Sequence, residues 1–451
     1  LTLPKVIVRG LRISAWEGVV ATVHGALTFG IFSTAYLAIL GANAFQFAVL
    51  NGLPSLADIT QPVASYIIMR YQNRKVFTIV MAAISRLIYF VPIAFLWMAN
   101  PHSKIWAFIA ISVISRITMS MNANSWVSWM AALMPDRVRG SYLGMRNMLA
   151  SVTNLVTLTI FSAVMDNFRS VERAYVVLFA FASAVSIAST VMLILQPAHR
   201  QRRRADGPVT FASVLSPLKD PVFRGFFRSM FIFNFGCALG SPFFAVYMFK
   251  NLSLSYSLIN VFTIVSSVLA IIVQPLWGTM MDRIGNKRVL ILGVSGIFWM
   301  PYLYIIAQGR FVAPLYLDAA LSGIFWPAVG LAVMNLIITE APDNEVSSYI
   351  GLYSALTGAL MFVTALLSGS VAHSLAFMHW RLGPLIIVNL HVIFFFAATF
   401  RLIGLLALVR VPEVRAEQLP HRPTSYARRE MLRILLGSKL TGFLYRDVKG
   451  M

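Results

Sequence analysis

The chain has 451 residues, 58% of them hydrophobic and 12% charged, with a formal net charge of +21. Soluble domains are about 45–50% apolar and about 25% charged, so a soluble enzyme and a disordered protein are both excluded. The single cysteine, Cys237, allows no internal disulfide and cannot build a cysteine metal cluster alone.

A bilayer crossing takes ~20 mainly apolar residues, and the sequence predicts twelve of them. Residues 1–14, with Lys5, Arg9 and Arg12, form a basic N-terminal segment that has no signal-peptide core. Spans 1 to 6 follow at 15–40, 45–69, 76–98, 103–131, 140–166 and 173–195, and make an N-terminal bundle over 15–195. A polar linker at 196–224 carries Arg200, Arg202, Arg203 and Arg204. Spans 7 to 12, at 225–249, 254–281, 289–308, 311–338, 347–373 and 381–409, make a C-terminal bundle over 225–409. The tail, 410–451, is basic; from Arg428 its apolar and basic residues fall on opposite sides of a helix, as in a segment lying on anionic lipid. A partner-binding helix is the alternative for this tail.

Twelve spans put both termini on one side. The loops after spans 2, 4, 6, 8 and 10, with the two tails, hold 26 of the 37 Lys and Arg, and the opposite loops hold six. The positive-inside rule therefore predicts a multi-pass inner (plasma) membrane protein with cytoplasmic termini. The charge of +21 reads as topology and contact with anionic lipid, not as a nucleic-acid site.

The two halves repeat. After span 2 the chain reads Q-P-V-A-S-Y-I-I-M-R-Y-Q-N-R-K-V from Gln61, and after span 8 it reads Q-P-L-W-G-T-M-M-D-R-I-G-N-K-R-V from Gln274. After span 4 comes P-D-R-V-R-G-S-Y-L-G from Pro135, and after span 10 P-D-N-E-V-S-S-Y-I-G from Pro342. Two matches in the same order, at offsets of 213 and 207, identify two related six-helix units.

Over about residues 14–410 the chain resembles the major facilitator superfamily of secondary transporters. The most specific stretch is G-T-M-M-D-R-I-G-N-K-R at Gly278–Arg288, similar to the family's G-x3-D-R-x-G-R/K-R/K loop signature. The first-half copy departs from it, with Ser65 for Gly, Met69 for Asp and Gln72 for the second Gly. The resemblance implies an all-α polytopic fold of two pseudo-symmetric bundles, with spans 1, 4, 7 and 10 lining a central cavity. It also implies that Asp282 is a structural latch at the cytoplasmic gate. Asp136 would pair with Arg70 or Arg74, and Asp343 or Glu345 with Arg283 or Lys287; solvated loop charges that only orient the protein are the equal alternative.

Ionisable groups inside a membrane are costly and need a partner or a wet cavity. Asp58 and Arg86 lie near the middle of adjacent spans and predict a structural ion pair. Glu17 and Arg146, both in the cytoplasmic third, are expected to pair at the inner mouth, because the resemblance places spans 1 and 5 together. Arg228 and Arg401 sit towards the cytoplasmic side, where they can snorkel. Arg116, mid-way along span 4, matches the buried arginine of the family's R-x-x-x-G pattern with Ser120 in place of the glycine. A guanidinium facing a cavity offers a fork for a carboxylate or phosphate. His24, Asp318, Asn122, Asn124, Trp126 and Trp326 are further substrate or proton-cavity candidates; a satisfied interhelical role is the bland reading of His24 and of the two asparagines.

No phosphate-binding loop, zinc motif or nucleophile elbow is present in the sequence, and neither a cofactor nor a metal is expected. The expected function is secondary transport of a small solute by alternating access, with protons as the coupling ion and an anionic or zwitterionic solute favoured by Arg116. A monomer is expected. The competing reading, supported by Met69 in the degenerate first-half motif, is a transporter-fold protein acting as a sensor, assembly factor or lipid or pigment handler.

Overall fold

The structure, a computed structural model, describes residues 4–71, 73–98, 100–168, 170–197, 210–309, 311–342, 344–382 and 385–412. Asp343, most of the arginine-rich linker and the amphipathic tail from 413 onward lie outside the described residues.

Span 1 is two helices, α1 (Lys5–Thr28) and α2 (Ile31–Ile39). They are separated at Gly30, whose φ of 71° and ψ of −127° suit a residue without a Cβ. Span 2 is also broken, into α3 (Ala44–Asp58) and α4 (Gln61–Tyr71). Pro62 contributes to the break. It has no N–H to give the carbonyl of Asp58, and its ring excludes that carbonyl. At the break the Thr60 hydroxyl donates to the Ala57 carbonyl at 2.7 Å. Eleven helices among the described residues are long and apolar enough to cross a membrane; span 2, in two short pieces, is the predicted crossing outside that number.

Span 3 is α5 (Arg74–Leu87), continued by a 3-10 stretch over Ile88–Trp97 that contains Pro92. Spans 4, 5 and 6 are α6 (Pro101–Leu133), α7 (Arg139–Asp166) and α8 (Val171–Leu195). Span 7 is α9 (Pro221–Gly240) with the short α10 (Phe243–Val246), and it begins at a cap in which Asp220 accepts from Val222 and Phe223 N–H. Span 8 is α11 (Tyr256–Ile284), which runs unbroken through Pro275, the counterpart of Pro62. Span 9 is α12 (Asn286–Ile297) and α13 (Met300–Ile306), and spans 10 and 11 are α14 (Ala313–Glu340) and α15 (Val346–Ser374).

Span 12 starts later than the sequence predicts. An antiparallel hairpin, β1 (His379–Leu382) and β2 (Leu385–Val388), occupies its expected first turns, and the helix is α16 (Asn389–Val409). The Leu-Ile-Ile-Val run at 385–388 is rich in strand formers.

Within the first half α1 packs on α7 and α8, and α5 on α6 and α8; within the second α9 packs on α16, and α14 on α11 and α12. The halves meet through α7 with α11 and through α3 and α4 with α15. One apolar core joins both halves, with Leu11, Trp129, Tyr142, Met281, Val289 and Tyr349 among its members. Towards the opposite end the core divides, into a cluster around Tyr36, Phe108 and Phe179 in the first half and one around Tyr247, Tyr304 and Phe394 in the second.

The joined end is the basic one. Lys75 there donates to the Ile194 and Gln196 carbonyls at 2.7 and 2.8 Å, Tyr142 to the Leu11 carbonyl at 3.1 Å, and Lys287 to the Val409 carbonyl at 3.2 Å. Ammonium groups beside the last carbonyls of α8 and α16 complement the helix dipoles.

Candidate functional site

At the basic end two pseudo-symmetric contacts join the halves with different chemistry; Arg139 of α7 also donates to Thr339 of α14 at 3.2 Å, and Gln274 of α11 to Ser151 of α7 at 3.1 Å. Asp282, in the last turn of α11, accepts from the backbone N–H groups of Gly140 and Ser141 at 2.8 Å each, and also from the Ser141 hydroxyl. A carboxylate thus caps the N-terminus of α7, where free N–H groups and the helix dipole favour negative charge. Glycines let the backbones approach this closely. A Cβ on Gly278 would run into the Gly140 carbonyl, and one on Gly144 into that of Gln274.

The pseudo-symmetric contact, between α4 and α15, contains no carboxylate. Met69 stands at the position of Asp282, and its sulfur accepts from the Ser348 hydroxyl at 3.2 Å. Ser65 donates to the Ser347 carbonyl at 2.7 Å. Asn124 completes the lock: its amide donates to Ser65 Oγ at 3.0 Å and the Ser347 carbonyl at 3.1 Å, and its oxygen accepts from the Ser347 hydroxyl at 2.8 Å. Asn124 is fully buried and spent on this contact, which corrects its placement in the cavity. The offsets of 213 and 207 carry Asp282 to Met69 and Gly140–Ser141 to Ser347–Ser348, so the sequence repeat relates the two contacts to each other.

The loop charges pair otherwise than predicted. Arg74 is buried and donates to the Ser128 carbonyl at 2.9 Å, while Arg70 is exposed. Asp136 forms its ion pair with Arg139, three residues on and on the same turn. Lys287 goes to the end of α16, Arg283 is exposed, and Glu345 accepts from Ser216 at 2.7 Å. Of these contacts only Asp136–Arg139 is local; the others run to backbone carbonyls or a hydroxyl on neighbouring elements.

Inside the first bundle the predicted Asp58–Arg86 pair is absent. Arg86 instead lies 3.0 Å from Glu17, which is buried and also accepts from Ser189 at 2.8 Å. Arg146 approaches the other Glu17 oxygen at 3.9 Å and lies over the Trp126 ring, 4.1 Å from its centroid. One carboxylate thus serves two guanidinium groups. Ser189, on α8, also receives a bond from Arg86, and nothing in the sequence marked it. His24 is buried, with Nδ1 2.8 Å from Ser186 Oγ and 3.3 Å from the Ala182 carbonyl, and Nε2 3.3 Å from Thr28 Oγ1. It is a satisfied interhelical histidine, not a cavity residue. The Trp126 indole nitrogen and Asn122 Oδ1 are buried without a hydrogen-bond partner.

Asp58 ends α3 at the break in span 2. Its Oδ1 accepts from Ser120 at 2.7 Å and from Gln61 at 3.0 Å. Arg116, one turn before Ser120 on α6, has Asp58 within Coulombic range and its guanidinium carbon 3.6 Å from the Phe29 ring centroid. Phe29 is the residue at the break in span 1. Two helix breaks, a carboxylate and a guanidinium therefore converge midway along spans 1, 2 and 4.

In the second bundle Asp318 accepts from the Tyr304 hydroxyl at 3.0 Å. Trp326 is 39% exposed, with its ring centroid 6.2 Å from that of Phe233. Arg401 is buried rather than extended to the surface; it donates to the Ile297 carbonyl at 3.5 Å and leaves Nε unpaired. Arg228 is exposed. No group of three or more His, Cys, Asp or Glu side chains among the described residues is placed to hold a metal ion.

A family model of the Major Facilitator Superfamily matches residues 18–244 and again 226–445, and the chain belongs to that superfamily. Its fold is that of solved transporters. A structure of the E. coli fucose:proton symporter FucP superposes with a TM-score of 0.68 at 12% identity, over 90% of this chain and 100% of that one. A bacterial homologue of the iron transporter ferroportin, in an outward-facing state, gives 0.69 at 11% identity, over 90% and 98%. The proton:xylose symporter XylE, bound to 6-bromo-6-deoxy-D-glucose, gives 0.62 at 15% identity, over 90% and 97%. Among curated proteins, no sequence relative matches the chain.

Proposed function

We propose that this protein is a secondary active transporter that moves a small solute across the inner membrane by alternating access, with protons as the coupling ion. The observation that carries the reading is the one-sided bonding of the two halves. Asp282 on α11 holds α7, and Asn124 and Ser65 hold α15, all at the basic end. With the positive-inside orientation, this reads as a state closed to the cytoplasm. Transport then requires both locks to break and the opposite ends to meet.

Membership of a transporter superfamily, and fold neighbours that include proton symporters, support the same reading. Asp318, hydrogen-bonded to Tyr304 in the second bundle, is the acid proposed to carry the proton. Met69 favours the non-transporting alternative only as a missing carboxylate. The Ser65–Asn124–Ser347 bonds replace that contact, so the second lock persists in neutral form.

The test is reconstitution of the purified protein into liposomes with a solute panel, with and without an imposed pH gradient. Gradient-dependent accumulation of a solute, lost in Asp318→Asn, is the expected result. Absence of uptake and of counterflow for every solute, together with a stably co-purifying protein partner, would establish the alternative.

A further inference from the structure

We infer that Asp58 and Arg116 are the two poles of a binding site for a zwitterionic solute, one carrying a cationic amine and a carboxylate or phosphate. The inference rests on the transporter reading for its biological use, but not for its chemistry.

The first support is the arrangement of charge. Asp58 and Arg116 carry opposite charges in the middle of neighbouring spans, yet among the described residues no ion pair within 4 Å joins them. Glu17, Arg86 and Arg146, elsewhere in this bundle, pair by direct approach. Asp58 and Arg116 are instead each fixed by other means. Ser120 and Gln61 both bond Asp58 Oδ1, which orients the carboxylate and leaves Oδ2 to face a further donor. The Phe29 ring holds the Arg116 guanidinium by a cation–π contact, which spends its face and leaves its N–H edge for a bidentate acceptor. Both residues are partly exposed. Arg116 and Ser120 are four residues apart on α6, so they lie on one face with their Cα atoms ~6 Å apart along its axis.

The second support is position. Transporter sites form where spans are discontinuous near the midplane. Spans 1 and 2 break at Phe29–Gly30 and at Ile59–Thr60, and both breaks lie beside this pair. Gly358 of α15 brings the second half against the same place: a Cβ there would lie 3.1 Å from Asp58 Cβ and 2.7 Å from the Ser55 carbonyl. Asp58 therefore stands at the boundary between the bonded, basic half of the interface and its opposite half. A solute on Asp58 and Arg116 sits where rocking of the halves acts on it. Arg116 is the charged group facing Asp58 from α6.

The experiment uses the full chain in detergent and four matched probes measured by calorimetry and thermal shift: neutral L-amino acids, the monocarboxylates lacking the amine, the amines lacking the carboxylate, and D-xylose. A zwitterion is expected to bind the wild type. Asp58→Asn should weaken it at least tenfold while leaving monocarboxylate binding within twofold, and Arg116→Gln should weaken it as much while sparing the amine. Asp58→Glu, which keeps the charge, should retain measurable binding, and a monodisperse elution profile shows that each variant folds. Unchanged zwitterion affinity in Asp58→Asn, preference for D-xylose, or no zwitterion binding to the wild type would overturn the inference. Counterflow in liposomes separates the two readings. Zwitterion binding without counterflow of any solute keeps the site and sinks transport. Counterflow of a solute unaffected by Asp58→Asn keeps transport and sinks the site.

Discussion

Asp282 of α11 holds Ser141 of α7 by two bonds from one oxygen, to the backbone N–H and to the side-chain hydroxyl, while its other oxygen takes the Gly140 N–H. This joins the ends of two helices from different bundles. Hydrogen bonds to a charged group contribute ~1.5–3 kcal/mol each, and ~1.4 kcal/mol is a tenfold change in an equilibrium. Asp282→Asn removes the charge and one acceptor site. It should shift the population at least tenfold towards the state open at the basic end. Distances between spin labels on α7 and α11 at that end report the shift; an unchanged distance distribution would show that Asp282 is not a lock.

Gly278 tests the same interface without touching a charge. Gly278→Ala puts a methyl group against the Gly140 carbonyl, backbone that has no rotamer through which to yield. The same labels should report separation of α7 and α11, now independent of salt, with little loss of thermal stability in each bundle. Gly330, which has open space around it, is the control position, and Gly330→Ala should leave the distances unchanged.

Met69→Asp puts a carboxylate where the second lock has a thioether. The Ser348 hydroxyl at the start of α15 faces position 69 as the Ser141 hydroxyl faces Asp282. The substitution is expected to lengthen the lifetime of the state closed at the basic end. Solute counterflow should slow several-fold while solute binding from the opposite side is retained. Faster exchange would mean that the neutral Met69–Ser348 contact is already the stronger form.

Glu17 is the one carboxylate shared by Arg86 and Arg146 inside the first bundle. Removing one partner of a buried pair costs about 3–5 kcal/mol, because the opposite charge is left uncompensated. Glu17→Gln should therefore lower the thermal unfolding midpoint strongly in detergent. Glu17→Leu combined with Arg86→Leu should recover more than half of that loss. Equal losses from the single and double variants would show that packing, not charge, is what Glu17 supplies.

The repeat and the in-span charges were legible in the chain, but pairing was legible only in part. The 213 and 207 offsets relate the two locks to each other, Asp282 to Met69 and Gly140–Ser141 to Ser347–Ser348, but they did not name the partners within either lock. Glu17 and Arg86 escaped prediction for a different reason. The helix of span 1 begins at Lys5, before the predicted start at 15, so Glu17 and Arg86 lie equally far from the starts of α1 and α5. His24 gave no sign in the sequence that Ser186 and Ala182 of α8 would satisfy it. The hairpin before α16 was legible in the Leu-Ile-Ile-Val run, but hydropathy alone absorbed it into span 12.

Composition and residue order, 58% apolar with a charge of +21, set the solvent, the number of crossings, the basic side and the two-fold repeat. These are properties that the bilayer reads one segment at a time. Only the tertiary structure decided which charges pair, that Asn124 is spent on a lock, and that Asp58 and Arg116 are held in reach without closing on each other. Those outcomes depend on helix rotation, the breaks at Gly30 and Pro62, and the glycines that set backbone approach. Each is a three-dimensional quantity, and hydrophobic patterning does not encode it.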